Sequence, residues 1–583
     1  MAAEVCLHQK QNVSIPSCGA PAARPATLQG LPVAAGLGVG DTFLFPGLSF
    51  QLSGAPPRLA DSRSEKARLV EAEAAIAPEV AAGESPDASG GMTAMLADPL
   101  FRGSIIDRIE AGMTAADAVV QTTHDLIAIY ADLADPVLRQ RAEWAEAVGR
   151  RLFRWLHGLA TPVFGPGTRR VLVTDEMSPF EATRLSPAHV AGIVAERGGA
   201  TSHFAIIAKQ MGIPVVGGIA GALRAIRSGE RCICDGLNGL VYLEPDPDTW
   251  VAAGTRLAEM DRERADLAAL GGLPATTRDG RRTDLWGNIA GLADVQPVLD
   301  AGGTGVGMFR TEFVFTGDEA PSEERQAALY GEVLRRVPGP VVMRTLEAGG
   351  DKAIPYLAGE REDNPNLGWQ GLRMCLDLEP LFLTQLRAMI RASAEGELWI
   401  MFPLVSARWE LQRCRELVAR ANTEVVRDGG RPGNYRVGIM VEVPAAALLA
   451  DEYLRDLDFA VIGTNDLTQF TLAADRMNPR VARWYDPYHP GVVRLMAMTA
   501  RAARRAGKPI GVAGDLASDP AFVPVLVGLG FTFLSATAPR LGAVRRALGA
   551  TDSRQARELA RTVLSLTDGD QIRTLLHGSG RPG

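Results

Sequence analysis

Phe459-Ala-Val-Ile-Gly-Thr-Asn-Asp466 is an apolar, strand-like run that closes on two polar residues. Runs of the same kind recur at Asp284–Ile289, Gly305–Phe313, Val341–Glu347, Leu398–Leu404, Val437–Val443, Pro509–Ala513 and Thr532–Ser535. Helix-length segments fill most of the intervals. Eight such runs within about 260 residues predict a (β/α)8 TIM barrel, a fold in which chemistry gathers where the strands end.

Polar and charged residues do stand at those ends. Arg310 closes one run and Arg344 another, Glu442 sits in Gly438-Ile-Met-Val-Glu-Val-Pro444, and Asn465 and Asp466 close the run quoted above. Arg476 follows on the same loop. Any one of these would serve as a capping or salt-bridging residue at a barrel rim; together they form a coherent set. Glu442 and Asp466 offer the hard oxygen ligands that Mg2+ takes, with octahedral positions left for water and substrate. Arg310, Arg344 and Arg476 can grip a multiply charged phosphate by forked hydrogen bonds. The set reads as a site for a small phosphorylated acid.

Upstream, Arg197-Gly-Gly-Ala-Thr-Ser-His203-Phe-Ala-Ile-Ile-Ala-Lys209-Gln-Met-Gly-Ile-Pro-Val-Val-Gly-Gly218 places a histidine where an apolar helical run, Phe204–Met211, begins. Free N–H groups of a first helical turn and the helix dipole favour an anion there, and the glycines permit close backbone approach. That setting suits a phosphorylated imidazole; the plainer reading is a Thr201 or Ser202 cap with His203 at the surface. His189, at the entrance to a strand and away from the glycine–hydroxyl context, reads as structural.

The 583 residues fit three or four domains. A hydrophobic share of 46% allows large cores, and 61 basic against 68 acidic residues, with no basic run, predict no nucleic-acid partner. No apolar run reaches the roughly 20 residues of a membrane span, so no membrane partner is expected. Residues 1–27 lack the apolar centre of a signal peptide and read as a disordered tail, the protein as cytoplasmic. Six scattered cysteines fit a reducing compartment. Cys232 and Cys234 share one face of a strand-like run, which favours core packing over a metal site.

In chain order, Leu28–Gly40 reads as a strand and glycine turns, followed by a strand at Thr42–Phe45. Helical periodicity covers Glu65–Ala82, Ile105–Ala111, Ala115–Leu133 and Pro136–His157. Arg169–Thr174 returns to strand, Asp175–Pro179 turns into a helix near Phe180, and strands at Arg231–Asp235 and Gly239–Leu243 close the unit. The predicted organisation is a multidomain α/β chain. An α/β domain occupies 28–61 and 159–245, interrupted by a helical subdomain at 62–158; a linker helix at 246–274 precedes the barrel at 275–583.

From Leu28 to about Arg573 the chain resembles Enzyme I of the bacterial phosphotransferase system, among the phosphoenolpyruvate-utilising enzymes. The resemblance rests on Gly198-Gly-Ala-Thr-Ser-His203, Arg344-Thr345 with Gly349-Gly-Asp-Lys352, Asn364-Pro-Asn-Leu-Gly-Trp369, Ile462-Gly-Thr-Asn-Asp-Leu-Thr-Gln469 and Tyr485-Asp-Pro-Tyr-His-Pro490. It implies that His203, swung in on its own domain, takes the phosphoryl group of phosphoenolpyruvate bound in the barrel. Glu442 and Asp466 then hold Mg2+, and Arg310, Arg344, Arg476 and Asn465 orient the phosphate. It further implies delivery to an HPr-like phosphocarrier docked on the helical subdomain, release of pyruvate, and a homodimer. The related dikinases and synthases carry a large ATP-binding domain; only about 200 residues precede His203 here, and they contain no glycine-rich ATP loop.

Four positions depart from the family pattern. Ala513 stands where the family has a cysteine that protonates the enolate. Gln370 replaces an arginine, Glu347 an aspartate and Lys209 an arginine. The helical insert is short, broken at Gly83–Gly91, which leaves carrier recognition less defined than phosphoenolpyruvate binding. Ala513 predicts impaired turnover and a poor reverse reaction without loss of forward transfer. Two alternatives stand beside an active phosphotransferase: a catalytically impaired regulatory protein that binds phosphoenolpyruvate, and a dikinase fragment that needs a separate ATP-binding chain.

Overall fold

The structure, a computed structural model, describes residues 27–45, 61–82, 91–131, 136–157, 169–175, 177, 185–197, 204, 208–209, 211–315, 319–349, 354, 356, 362, 364–476, 478 and 480–578. His203 and the predicted turn and helix at 176 and 178–184 lie outside them. The chain divides into two compact units, residues 1–260 and 261–583.

The first unit contains an eight-stranded sheet and a helical bundle. The strands are β1 (Thr27–Gln29), β2 (Leu31–Ala34), β3 (Leu37–Leu44), β4 (Arg170–Thr174), β5 (Val190–Ala195), β6 (Val215–Gly217), β7 (Arg231–Asp235) and β8 (Leu240–Leu243), in the order β1-β8-β7-β3-β4-β5-β6-β2. The central pairs β3–β4, β4–β5 and β5–β6 are parallel and the flanking pairs antiparallel. Of the expected glycine turns, breaks fall at Gly30, between β1 and β2, and at Gly36, φ 142°, between β2 and β3, whereas Gly38 and Gly40 lie inside the continuous strand Leu37–Leu44. Gly38 serves close packing instead, since a Cβ there would stand 2.3 Å from the Ala191 carbonyl oxygen.

Between β3 and β4 the chain builds helices at Ser62–Ala82, Gly91–Leu96, Pro99–Glu110, Ala115–Ala131 and Pro136–Leu156. They bury a core of their own that includes Leu69, Ile76, Phe101, Ile105, Val119, Leu152 and Phe153. Asp98 caps the third of them, accepting from the N–H groups of Leu100 and Phe101. In β7 both Cys232 and Cys234 face the apolar core of the sheet, and burial pushes both thiols up, Cys234 to about 12.

The second unit is a closed parallel barrel. Its staves are β9 (Asp284–Ile289), β10 (Val306–Arg310), β11 (Val341–Arg344), β12 (Leu398–Phe402), β13 (Tyr435–Val441), β14 (Phe459–Gly463), β15 (Ile510–Ala513) and β16 (Phe533–Ala536), and β16 pairs back onto β9. Each falls within or over one of the eight strand-like runs. Two apolar layers explain why the runs lack a period: one set of side chains packs outward against the helices and the other fills the interior. The interior is aromatic, with the Trp286 ring stacked on Phe533 at 3.9 Å and Trp399 4.7 Å from Phe459.

Five staves, β10 to β14, end earlier than their apolar runs, three of them for a visible reason. β10 stops at Arg310 and continues as a 3-10 turn, Thr311–Phe315, whose Thr311 hydroxyl donates to the Arg344 carbonyl at 2.6 Å. Past the end of β11 the Leu346 N–H donates to the Gln385 side chain at 2.8 Å instead of to a neighbouring strand. β14 gives way to a helix, Thr464–Leu472, so Asn465 and Asp466 lie in a first helical turn. Among the described residues no helix is long and apolar enough to cross a membrane.

Candidate functional site

Arg310, Arg344, Glu442, Asn465, Asp466 and Ala513 stand at or just past the carboxyl ends of the staves, and Arg476 joins them from beyond the helix Thr464–Leu472. Arg310 and Arg344 are the last residues of β10 and β11 and stand in register with one another. Glu442 directly follows β13, and Asn465 and Asp466 directly follow the β14 end. Parallel staves all point one way, so residues distant in sequence converge on one rim.

Glu442 is the centre of the arrangement. It is fully buried, and its Oε1 accepts from the Leu404 N–H at 2.7 Å. Leu404 holds a left-handed backbone conformation, φ 53°, a position that few side-chain-bearing residues adopt. Oε2 of Glu442 is buried and has no hydrogen-bond partner among the described residues. Burial, with Glu347 and Asp466 beside it, holds the Glu442 carboxyl well above its usual range; Arg344 and the Leu404 N–H act the other way. One carboxylate oxygen each from Glu347, Glu442 and Asp466 lies within 4.8 Å of the others. Three carboxylates brought together, one of them with an oxygen unpartnered among the described residues, fit a divalent cation.

The guanidiniums interleave with these acids. Arg344, only 3% exposed, pairs with Glu312 at 2.5 Å and with Glu347. Burial alone would lower its pKa, but Glu312, Glu347, Glu442 and Asp466 outweigh that and raise it. Arg310 is shifted down by burial, partly offset by Glu312 and Glu347. Arg476 reaches Asp466 at 3.4 Å, and its own N–H is fixed by the Gln469 side chain at 3.1 Å. Among the described residues four carboxylates (Glu312, Glu347, Glu442, Asp466) thus face three guanidiniums.

Asn465 is locked from the neighbouring stave. Its Oδ1 accepts from the Asp515 N–H at 2.9 Å and from the Thr464 hydroxyl at 3.2 Å, and that hydroxyl also reaches the Ala513 carbonyl at 3.1 Å. Gly514, φ 102°, makes the approach possible: a Cβ there would lie 2.3 Å from Thr464 Oγ1. The Ala513 side chain is buried in the aromatic interior with Trp286, Met440 and Phe533 and brings no polar atom. Gln370 turns back onto its own loop, its amide donating to the Asn366 carbonyl at 2.5 Å.

Glu347 and Glu312 are the contributions that sequence reasoning undervalued. Glu347 read there as a mild substitution; here it shares Arg344 and completes the carboxylate trio. Its spacing from Arg344, Arg-x-x-Glu, is the signal that was available. Tyr485 is a further rim residue, its hydroxyl pushed up to about 12 by burial and by Asp515, with Arg476 pulling it down. In the first unit, Phe204 and Ala208, just past His203, are helical and buried, and Lys209 is exposed.

Three family models of phosphoenolpyruvate-utilising enzymes match the chain in order: the N-terminal domain over residues 29–141, the mobile domain over 166–239 and the phosphoenolpyruvate-binding domain over 264–553. The phosphoenolpyruvate-protein phosphotransferase of Geobacillus stearothermophilus is 33% identical over 568 residues, 94% of this chain and 98% of that protein. Its counterpart from Bacillus subtilis is 34% identical over 483 residues, 82% of this chain and 85% of that protein. A multiphosphoryl transfer protein of Rhodobacter capsulatus is 38% identical over 470 residues, 80% of this chain and 56% of its own length.

Proposed function

Because the chain belongs to the phosphoenolpyruvate-protein phosphotransferase family, we propose that it moves the phosphoryl group of phosphoenolpyruvate onto its own His203 and then onto a histidine of an HPr-like carrier. The observation that carries this reading is the rim itself: three converging carboxylates, one with an orphaned buried oxygen, interleaved with three guanidiniums.

Glu442 and Asp466, joined by Glu347, are the residues that would hold Mg2+. The cation supplies positive charge against the phosphoryl oxygens and the departing enolate. Arg310, Arg344 and Arg476 bind the phosphate and spread its charge. Asn465, its carbonyl side fixed by Asp515 and Thr464, offers its amide N–H groups as donors to the same ligand. The neutral imidazole of His203 attacks phosphorus as the bond to the enol oxygen breaks. Enolpyruvate leaves, and C3 takes its proton from water, since Ala513 has none to give. The proposal extends to Mg2+ as the physiological cation, a homodimer, docking of the carrier on the helices of residues 62–158, and a cytoplasmic location.

The test is incubation of the purified protein with radiolabelled phosphoenolpyruvate and Mg2+, beside H203A and EDTA controls, scoring acid-labile label and pyruvate. Label that requires His203 and Mg2+, and that moves to an added HPr-type carrier, supports the relay. Phosphoenolpyruvate binding without any label on His203 refutes it.

A further inference from the structure

The motif Tyr485-Asp-Pro-Tyr-His-Pro490 contains three polar side chains, Asp486, Tyr488 and His489, that do not enter the rim cluster. His489 caps the following helix, its Nδ1 accepting from the Gly491 N–H at 3.1 Å. The other two face the last helix of the chain, Gly569–His577, more than 80 residues away.

That contact is built closely. Asp486 Oδ1 accepts from the Tyr488 N–H at 3.0 Å and from Arg573 Nη2 at 2.8 Å. The Arg573 guanidinium also lies over the Tyr488 ring, 4.8 Å from its centre. Gly569 begins the helix against the same carboxylate, and a Cβ there would overlap Asp486 Oδ2 at 1.9 Å. The Tyr488 hydroxyl donates to Asp519 and stands 3.1 Å from His577 Nε2, with the Tyr488 ring edge-on to Phe522. Asp519 directly follows the 3-10 turn Leu516–Ser518, a few residues after the Asp515 that locks Asn465. One helix thus fastens the end of the loop that begins with Arg476, and through Tyr488 and Asp519 also touches the segment behind Asn465.

We propose that the C-terminal helix is a positioning latch for the substrate loop, with Arg573 holding Asp486 and His577 holding Tyr488 so that Arg476 is presented at the rim. The inference rests on the reading of Arg476 as a phosphate-binding residue. Arg573 acts through the loop and touches no reacting atom, so it is a positioning residue. An ion pair this exposed, 35% and 25% at its two side chains, adds little to folding. Its value lies in orientation, where a displacement of an ångström at a binding group is felt strongly.

Calorimetric titration of phosphoenolpyruvate in Mg2+ into the full chain tests this with R476A, R573A, R573K and R476A/R573A. R573A should weaken binding about three- to tenfold with its thermal midpoint within about 2 °C of wild type. R573K, which keeps the charge opposite Asp486, should recover part of the loss. In the R476A background the Arg573 substitution should have no further effect, because the group it positions is gone. R573A at wild-type affinity, or an effect that simply adds to R476A, overturns the latch. R476A that binds like wild type removes the functional reading of the loop as well, which distinguishes the two failures.

Discussion

Replacing Glu442 by Gln should make the barrel more stable without metal and less stable with it. The wild-type carboxylate is fully buried, one oxygen bound to the Leu404 N–H at 2.7 Å and the other without a partner, with Glu347 and Asp466 alongside. Gln has the same shape. Its carbonyl keeps the Leu404 bond, and its amide turns two donors toward the neighbouring carboxylates. An unmatched buried polar atom costs about 1–3 kcal/mol, so E442Q should gain about that much in EDTA. At about 2–4 °C per kcal/mol for domains of 150–250 residues, a shift of a few degrees follows for this larger unit. Mg2+ at one hundred times its dissociation constant adds about 2.7 kcal/mol to wild type and little to E442Q, so the order of stability inverts. The pH dependence has a defined sign. The folded carboxyl is raised above its unfolded value, so its contribution is intact below the ordinary carboxylate pKa and is lost as pH rises through the raised one. The advantage of E442Q in EDTA should therefore vanish below the ordinary carboxylate pKa and grow as pH rises toward the raised one. Thermal unfolding followed by tryptophan fluorescence, with EDTA and with Mg2+, measures both. A destabilised E442Q in EDTA, or an unchanged Mg2+ response, refutes the argument.

A513C should restore a group that as thiol protonates the enolate and as thiolate takes the C3 proton of pyruvate in reverse, and so speed pyruvate-dependent loss of label from phospho-His203 by at least tenfold, in line with general acid–base contributions of about 10²–10⁴; an unchanged rate means that water already does this work adequately. G514A forces a side chain into a φ of 102° and against Thr464 and Asn465, so phosphoenolpyruvate affinity by calorimetry should fall more than tenfold, and wild-type affinity would show that the Asn465 lock is unimportant. Cys232, Cys234, Cys375 and Cys414 are buried with raised thiol pKa values, Cys234 and Cys375 to about 12. At pH 8 these four should resist a disulfide-exchange reagent in the native state and react on unfolding, as read by peptide mass mapping; native labelling of any of them within minutes contradicts the burial.

The barrel was legible because each stave is buried on both faces. An element with apolar neighbours inside and out has no polar period to hide it, and a charge such as Arg344 or Glu442 at its end stands out. The finer features depend on proximity in space. Glu347 looked like a conservative exchange because nothing in Arg-Thr-Leu-Glu says that its carboxylate meets one from β13 and another from β14. Asp486 and Tyr488 could be recognised as part of a motif, but their partners Arg573 and His577 are 87 and 89 residues away and their pairing is fixed only by the closed fold. In the N-terminal sheet the error ran the other way. Gly38 and Gly40 resemble turn glycines in a short window, and only the nearness of the Ala191 and Arg169 carbonyls shows that they give room to a passing strand.

The charge inventory of the rim links stability to substrate binding. Among the described residues four carboxylates face three guanidiniums, so the cluster has no surplus of positive charge, and Arg344, the most buried of these cations, is already claimed by Glu312 and Glu347. A phosphorylated carboxylic acid carries two to three negative charges at neutral pH, so this cluster alone is a poor host for it in a region of low dielectric. A divalent cation held by Glu347, Glu442 and Asp466 would turn the balance net positive, and its charge would offset the burial and the neighbouring carboxylates that raise the Glu442 pKa. Cation binding and phosphoenolpyruvate binding are then coupled through the same carboxylates, each raising the affinity for the other by the same factor. Under the proposed function, the buried, unmatched Glu442 would be the cost in folding stability that makes the affinity of the rim for its substrate conditional on the metal.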